Sequence, residues 1–229
     1  MYQEKTVGAV ILAAGKSSRA KGKVNKLYRN LAGKPVLSYS LDRFTSSELL
    51  DEVVVVYNKS DQNLLQDRVM NSMDYNLKVK IVVGGERRQD SSWAGLNALE
   101  TDYVFVHDGA RPNFSSELLY NLLTEAFAHG ACFPGLKPVD TIRKLNEGLS
   151  GSTVDRDSLI RVQTPQCFKR ALLTKSIGDA LEKNRYYTDD AGAVLDNRDI
   201  APSVVPGEKC NLKLTTNEDF AIMEALMAD

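Results

Sequence analysis

Several short stretches of the 229-residue sequence place charged or very small residues directly after apolar runs. In LAAGKSSR (12–19), Ala13, Ala14 and Gly15 carry little or no side chain, so a ligand can come close to the backbone. Backbone N–H groups at the turn that follows form an anion cradle. Lys16, Arg19, Lys21, Lys23 and Lys26 then bring mobile positive charge, and Ser17 a hydroxyl. In HDGARP (107–112), Asp108 stands at the tip of an apolar run, where a carboxylate can hold a hard cation such as Mg²⁺ on a substrate phosphate. Arg111, stiffened by Pro112, suits a bidentate grip on a phosphate. In GGERRQDSS (84–92), Gly84 and Gly85 let the chain pass a flat ring, while Glu86 and Ser91 offer polar groups to a base edge. Arg156 and Thr164, Thr188 ahead of a carboxylate pair, and Lys213 in NLKLT add further cations and hydroxyls. The chemistry these types suggest is the handling of a polyphosphate.

Taken singly, each stretch has a plainer explanation: a solvated basic loop, a surface Asp–Arg pair, a turn, a helix cap. The opening loop is not GxxxxGK[ST], and it is not GxGxxG, so neither a Walker P-loop nor the usual dinucleotide fingerprint is present. The two histidines, His107 and His129, make no metal site without carboxylate help. Cys132, Cys167 and Cys210 are far apart and form no CxxC pair, which argues against zinc or a disulfide framework and for buried free thiols in a reducing compartment.

These groups must be positioned by a core, and the composition supplies one. Hydrophobic residues make up 43% and charged residues 26%, with a net charge of −1. That balance fits a globular chain and argues against bulk nucleic-acid binding. No apolar stretch approaches the ~20 residues of a membrane span, and the N-terminus shows no signal-peptide pattern. A cytoplasmic protein with no membrane or nucleic-acid partner is expected.

Apolar runs at 7–12, 53–57, 79–83, 103–107 and 131–136 read as strands buried on both faces. Between them lie helix patterns: one opened by Pro35, one capped at Ser115 or Ser116 and stopped at Gly130, and others near 61–71, 91–99, 169–181 and 217–227. Lys213 is expected on a short strand, with Thr216 capping the last helix. Strand alternating with helix predicts an α/β sandwich with a mainly parallel sheet, whose ligands sit beyond the carboxyl ends of the strands. The Gly15 loop and the 107–111 turn both fall there. Residues 137–161 break the rhythm with alternating polar and apolar residues around NEGLSG, a hairpin signature. The chain is read as one domain, 1–229, with 137–161 projecting as a β-arm.

Together, LAAGKSSR…NK, GGERRQDS, HDGARP, VDR…TPQ, TDDA and NLKLT occur in an order that resembles the 2-C-methyl-D-erythritol 4-phosphate cytidylyltransferases, from about Val7 to Met227. The resemblance implies a Rossmann-like nucleotidyltransferase fold of the glycosyltransferase-A kind and a homodimer that exchanges the β-arm. It implies transfer of CMP from CTP to a sugar-alcohol phosphate, with Mg²⁺ and release of pyrophosphate, in non-mevalonate isoprenoid biosynthesis. Residue by residue, it implies that Ala13, Ala14, Gly15 and Ser17 line the triphosphate loop, and that Arg19, Lys26 and Lys213 are the catalytic cations. Gly85, Glu86 and Ser91 would face the cytosine, and Asp108 would hold Mg²⁺. Arg111, Thr141, Arg156, Thr164 and Thr188 would hold the acceptor, some of them across the dimer.

The chain departs from the family pattern at four places. Asn25 stands where proline is common, which implies a looser loop; Ser17 replaces a glycine; and Glu86 replaces an aspartate. Lys209 and Cys210 occupy the place where a second acidic metal ligand can stand, with Glu208 nearby. The similarly built ribitol 5-phosphate cytidylyltransferases tend to show LAGG and HDAVRP where this chain has LAAG and HDGARP. An NAD-dependent oxidoreductase is disfavoured by the missing fingerprint. A silent nucleotide-binding regulator is disfavoured by the joint presence of Arg19, Lys26, Asp108 and Lys213.

Overall fold

Parallel strands require crossovers, and the chain provides them as helices on both faces of one sheet. The structure, a computed structural model, describes residues 4–15, 25–71, 75, 77–198 and 200–228. Strand β1 (Val7–Ala13) is followed by a 3₁₀ turn at Lys26–Tyr28 and a small ladder of β2 (Asn30–Leu31) with β3 (Lys34–Pro35). Helix α1 (Val36–Thr45) leads to β4 (Glu52–Tyr57), then the short α2 (Gln62–Leu65) and β5 (Val79–Val83). Next come α3 (Arg88–Asn97), β6 (Tyr103–Asp108), α4 (Ser116–His129) and β7 (Ala131–Leu136). A hairpin of β8 (Ile142–Asn146) and β9 (Leu149–Val154) precedes β10 (Arg161–Val162) and β11 (Gln166–Lys169). The chain ends with α5 (Arg170–Glu182), α6 (Asp190–Arg198), β12 (Ser203–Pro206) and α7 (Glu218–Ala228).

The main sheet is mixed and mostly parallel, as expected. β1 lies between β4 and β6, parallel to both, and β5 extends it beyond β4. β11 runs antiparallel to β6 and β7, and β12 runs parallel to β7. Alternation along the strands sorts the core into two layers. Val7, Ala9 and Ile11 pack with Leu37, Leu41 and Phe44 of α1, Leu119 and Leu122 of α4, and Phe220 and Met223 of α7. On the opposite face Val10, Val54, Val56, Val104 and Val106 meet Leu96 of α3, Leu173 and Ile177 of α5, and Val194 of α6. Burial on both faces is why these strands read as continuous Val/Ile runs.

Local expectations mostly hold, with four corrections. Ser115 accepts a hydrogen bond from Leu118 N, and Gly130 closes α4 in the left-handed region at φ 82°. Residues 61–71 are not one helix: α2 runs into a π turn at Gln66–Met70. Helix α3 begins at Arg88 rather than 91, because the Asp90 carboxylate accepts from Arg87 N and stabilises the earlier start. Lys213 lies on no strand: its segment is anchored largely by side chains, with Arg111 and Gln163 donating to Asn211 O. Capping of the last helix runs opposite to expectation, since Asp219 accepts from the backbone N–H groups of Thr215 and Thr216. Cys132 and Cys167 are buried free thiols, and Cys210 is half-buried. Among the described residues no helix is long and apolar enough to cross a membrane.

The hairpin forms a two-stranded sheet of its own, turning at Glu147 (φ 48°) and Gly148 (φ 86°). Two successive positive φ values match the right-handed twist of a hairpin. Its apolar residues are left outside: Leu145 is 76% and Leu149 74% exposed.

Candidate functional site

The carboxyl ends of β1, β5 and β6 converge on a cavity of about 250 Å³. Register places Leu12 of β1 beside Asp108 of β6, and Gly109 N donates to Leu12 O at 3.0 Å. Gly84 brings the loop after β5 against the loop after β1: a Cβ there would lie 2.4 Å from the Ala14 Cβ and 2.7 Å from Ser91 Oγ. Any side chain at 84 would push the two loops apart. The cavity is lined by Ala14, Gly15, Lys26, Gly85, Glu86, Ser91, Asp108 and Lys213, together with Asn25, Arg87 and Arg88.

Asp108 is the electrostatic centre. Arg88 Nε approaches its Oδ1 at 3.3 Å and Lys213 Nζ its Oδ2 at 2.7 Å. Its backbone N–H donates to Thr164 Oγ1 at 3.0 Å. Burial alone would raise the Asp108 pKa, but the charges of Arg88 and then Lys213 outweigh it and hold the carboxyl well below the usual carboxylate range. Arg88 also donates to the fully buried Asp190 at 2.7 Å, at the start of α6. Burial opposes the Arg88 charge, yet Asp190 and Asp108 together hold its pKa above the ordinary value.

Two loops fix the lysines. Lys26 Nζ donates to Leu214 O at 2.6 Å, and Leu214 N to Ala110 O at 2.9 Å. Asn211 is buried, and its Nδ2 donates to Thr164 O at 2.8 Å. That bond sets the chain direction from which Lys213 projects. The loosening implied by Asn25 in place of proline falls on residues 16–24, outside the described residues, but Asn25 itself is anchored. Its side chain caps the 3₁₀ turn by accepting from Leu27 N, and it donates to Asp61 at 2.8 Å and to Gly15 O at 3.4 Å. Asn25 thus ties the first described residue after the basic segment back to the end of β1.

The other expected residues lie elsewhere. Ala13 is buried in the α1/α4 layer. Arg111 lines an adjoining cavity, with its Nη1 on Asn211 O at 2.8 Å. Thr164 is buried between Asp108 N and the ring of His107. Thr141 and Arg156 lie beside the hairpin and Thr188 just before α6, all three exposed and outside both linings. Ser17 and Arg19 lie outside the described residues, as do Lys16, Lys21 and Lys23. His107 is buried against Phe44 and Phe114. Burial depresses its pKa to about 3, so the ring is neutral and structural.

Four residues of this arrangement were missed as site residues: Arg88, Asp190, Asn25 and Asn211. The motif letters around each were visible, but the partners lie far off in sequence, 102 residues away for Arg88 and Asp190.

Among the described residues no three His, Cys, Asp or Glu side chains cluster as a self-sufficient metal centre. Asp108, at the strand tip of a cavity whose only other lining carboxylate among the described residues is Glu86, suits Mg²⁺ that takes its remaining ligands from phosphate oxygens and water. Glu208 is turned the other way, accepting from the N–H and hydroxyl of Ser115.

A family model described as 2-C-methyl-D-erythritol 4-phosphate cytidylyltransferase matches residues 7–229. A relative of that name from Caldanaerobacter subterraneus subsp. tengcongensis is 36% identical over 224 residues, covering 96% of this chain and 98% of its own. One from Clostridium acetobutylicum is 36% identical over 221 residues, 96% of each chain. Among solved structures, 4-diphosphocytidyl-2C-methyl-D-erythritol synthase from Anaerococcus prevotii superposes with a TM-score of 0.84 at 29% identity, covering 98% of this chain and 99% of that one. The 2-C-methyl-D-erythritol 4-phosphate cytidylyltransferase from Thermus thermophilus gives 0.80 at 28% identity, covering 96% and 98%.

Proposed function

The chain belongs to the 2-C-methyl-D-erythritol 4-phosphate cytidylyltransferase family, and on that premise we propose that it transfers CMP from CTP to 2-C-methyl-D-erythritol 4-phosphate. A phosphate oxygen of the acceptor attacks the α-phosphorus of CTP, a new P–O–P bond forms, and the bond to the β-phosphate breaks. The products are 4-diphosphocytidyl-2-C-methyl-D-erythritol and pyrophosphate. The acceptor needs no general base, because a phosphate monoester with a second pKa near 6 is already mostly dianionic at neutral pH. This accounts for a cavity with charged side chains and a neutral, buried histidine.

The obstacle is repulsion between two anions, and cations must offset it while stabilising the charge of an in-line transition state. The observation that carries the reading is the convergence of Lys26, Asp108 and Lys213 with Gly85, Glu86 and Ser91 on one cavity. Gly85, Glu86 and Ser91 take the cytosine, and the Ala14–Gly15 backbone takes the triphosphate. Lys26 and Lys213 neutralise the transferring group, and Arg19 joins them on the strength of the family resemblance. Asp108 would hold Mg²⁺, which when bound supplies further positive charge to the phosphoryl oxygens. Arg111, Thr164 and Thr188 serve the acceptor.

The hairpin within 137–161 is read as an arm of the one domain, exchanged in a homodimer, so that Thr141 and Arg156 reach the partner's acceptor site. Supporting this are its separate two-stranded sheet and its exposed Leu145 and Leu149. A pyrophosphate-release assay with CTP tests the reaction. Methylerythritol phosphate should support turnover and ribitol 5-phosphate should not; the reverse pattern would reassign the acceptor, and no turnover with either would reject the enzyme.

A further inference from the structure

Residues 183–189 join α5 to α6 with neither helix nor strand, and they carry Thr188. The backbone of such a segment must find its hydrogen bonds elsewhere. Two glutamines supply them. Gln89, in the first turn of α3 and only 4% exposed, donates from Nε2 to Arg185 O at 3.0 Å, and its Oε1 accepts from Tyr187 N at 2.9 Å. Gln166 of β11, fully buried, donates from Nε2 to Asp189 Oδ2 at 2.7 Å, and its Oε1 accepts from Ala191 N at 3.1 Å. Each amide meets one acceptor and one donor, so its partners fix which way it points.

Thr188 falls between the two clamps. Tyr187 is pinned through its N–H and Asp189 through its carboxylate. Thr188 itself is exposed, and its hydroxyl makes no hydrogen bond among the described residues. The grip from α3 is the closer one and comes from the segment proposed to take the cytosine. Arg87 lies 3.5 Å from the centre of the Tyr186 ring, and Arg88 donates to Asp190. The Arg87 contact is exposed at both partners and holds the segment weakly. The bonds of Gln89 are shielded from water, where leaving a partner unpaired costs most. Gln89 alone of the three holds backbone next to Thr188.

We propose that Gln89 is a positioning residue for the acceptor: without touching substrate, it holds the backbone from which the Thr188 hydroxyl is presented. The proposal rests on the cytidylyltransferase reading, in which Thr188 serves the acceptor, and adds to it a residue that acts from the nucleotide segment.

The test compares the wild type with Gln89→Met, which keeps the length of the side chain and loses both hydrogen bonds, and with Gln89→Ala. Ile177→Val, a core change on α5 outside the cavity lining, serves as a destabilised control. Hydrogen exchange of the amides in 184–191 is followed in the free protein, and KM is measured for each substrate. Loss of its buried acceptor should quicken exchange at the Tyr187 amide by about tenfold in the Gln89 variants. The acceptor KM should rise about fivefold or more, while the KM for CTP stays within about twofold. Ile177→Val should leave both KM values unchanged. Unchanged exchange in both Gln89 variants overturns the clamp, whatever the reaction proves to be. Faster exchange with an unchanged acceptor KM overturns the positioning role. So does an equal rise in both KM values, or the same acceptor effect in Ile177→Val, since either reduces Gln89 to general stability. Absence of turnover in the wild type rejects the functional reading separately, while hydrogen exchange still decides whether Gln89 orders the segment.

Discussion

Lys213 and Asp108, 105 residues apart in sequence, meet in a 2.7 Å ion pair at the floor of the main cavity. The pair holds the lysine against the carboxylate proposed to carry Mg²⁺, at the junction with the adjoining cavity. The proposed catalytic cation is thereby placed before substrate arrives, which limits the reorganisation left to the reaction itself.

Replacing Lys213 by Gln should therefore affect the chemical step more than nucleotide binding. A fall in kcat of about 10²–10³ is expected, with the KM for CTP changing far less. Steady-state kinetics with both substrates varied checks this. A large rise in that KM at unchanged kcat would make Lys213 a binding residue only.

Arg88 is shared by two carboxylates, one of them fully buried. Asp190→Asn should cost about 3–5 kcal/mol of stability, because it breaks a buried pair from one side. Urea denaturation measures the loss. A cost below about 1 kcal/mol would mean that solvent reaches the pair more freely than the structure indicates.

Asn25→Ala removes the cap on Leu27 N and the bond to Asp61, and should cost about 0.5–2 kcal/mol. Asn25→Pro should cost less: the native φ of −56° and ψ of 131° already suit proline, and a stiffer unfolded chain offsets part of the loss. Equal destabilisation by both would remove backbone pre-organisation from the explanation.

Thiol labelling should separate the cysteines. Burial pushes Cys132 up to about 12 and Cys167 well above its ordinary value, so neither offers thiolate near pH 8 in the folded protein. Cys210, half-buried, should react with an aromatic disulfide reagent first, and the other two at the rate of unfolding. The sign for stability follows from proton binding. Between about 9 and 12 the unfolded Cys132 loses a proton that the folded one keeps, so its contribution is complete below pH 9 and declines as pH rises. Rapid native labelling of three thiols would contradict this burial.

Leu145→Glu with Leu149→Glu places charge on the exposed apolar hairpin. Light scattering should show the mass halve, and the acceptor KM should rise as Thr141 and Arg156 are withdrawn. A wild-type protein that is already monomeric would rule out the exchanged arm.

Strands β1, β4, β5, β6 and β7, the helix from Ser115 to Gly130 and the hairpin were legible because each is written in local periodicity and turn chemistry; β10, β11 and β12, two to four residues each, are too short to show a period and were not. The location of the loops beyond the strand ends was legible as well, because it follows from the alternation of elements. The Lys213 segment misled because its alternating pattern imitates a strand while side chains of Arg111 and Gln163 both take the backbone acceptor of Asn211. The anchoring of Asn25 was hidden for a related reason: its partners, Gly15 and Asp61, lie 10 and 36 residues away. Contacts of this kind leave no periodic trace, so they are found only once the chain is folded.

The guanidinium shared between the starts of α3 and α6 has an evolutionary corollary. Segment 84–92 and segment 188–192 are not independent modules. Grafting either one from a homologue that lacks the matching Arg or Asp would strand a charge in the interior, so changes at Arg88 and at Asp190 are expected to be epistatic. The two segments are thus inherited as one coupled unit, and a library that varies Arg88 and Asp190 separately would sample mostly destabilised proteins.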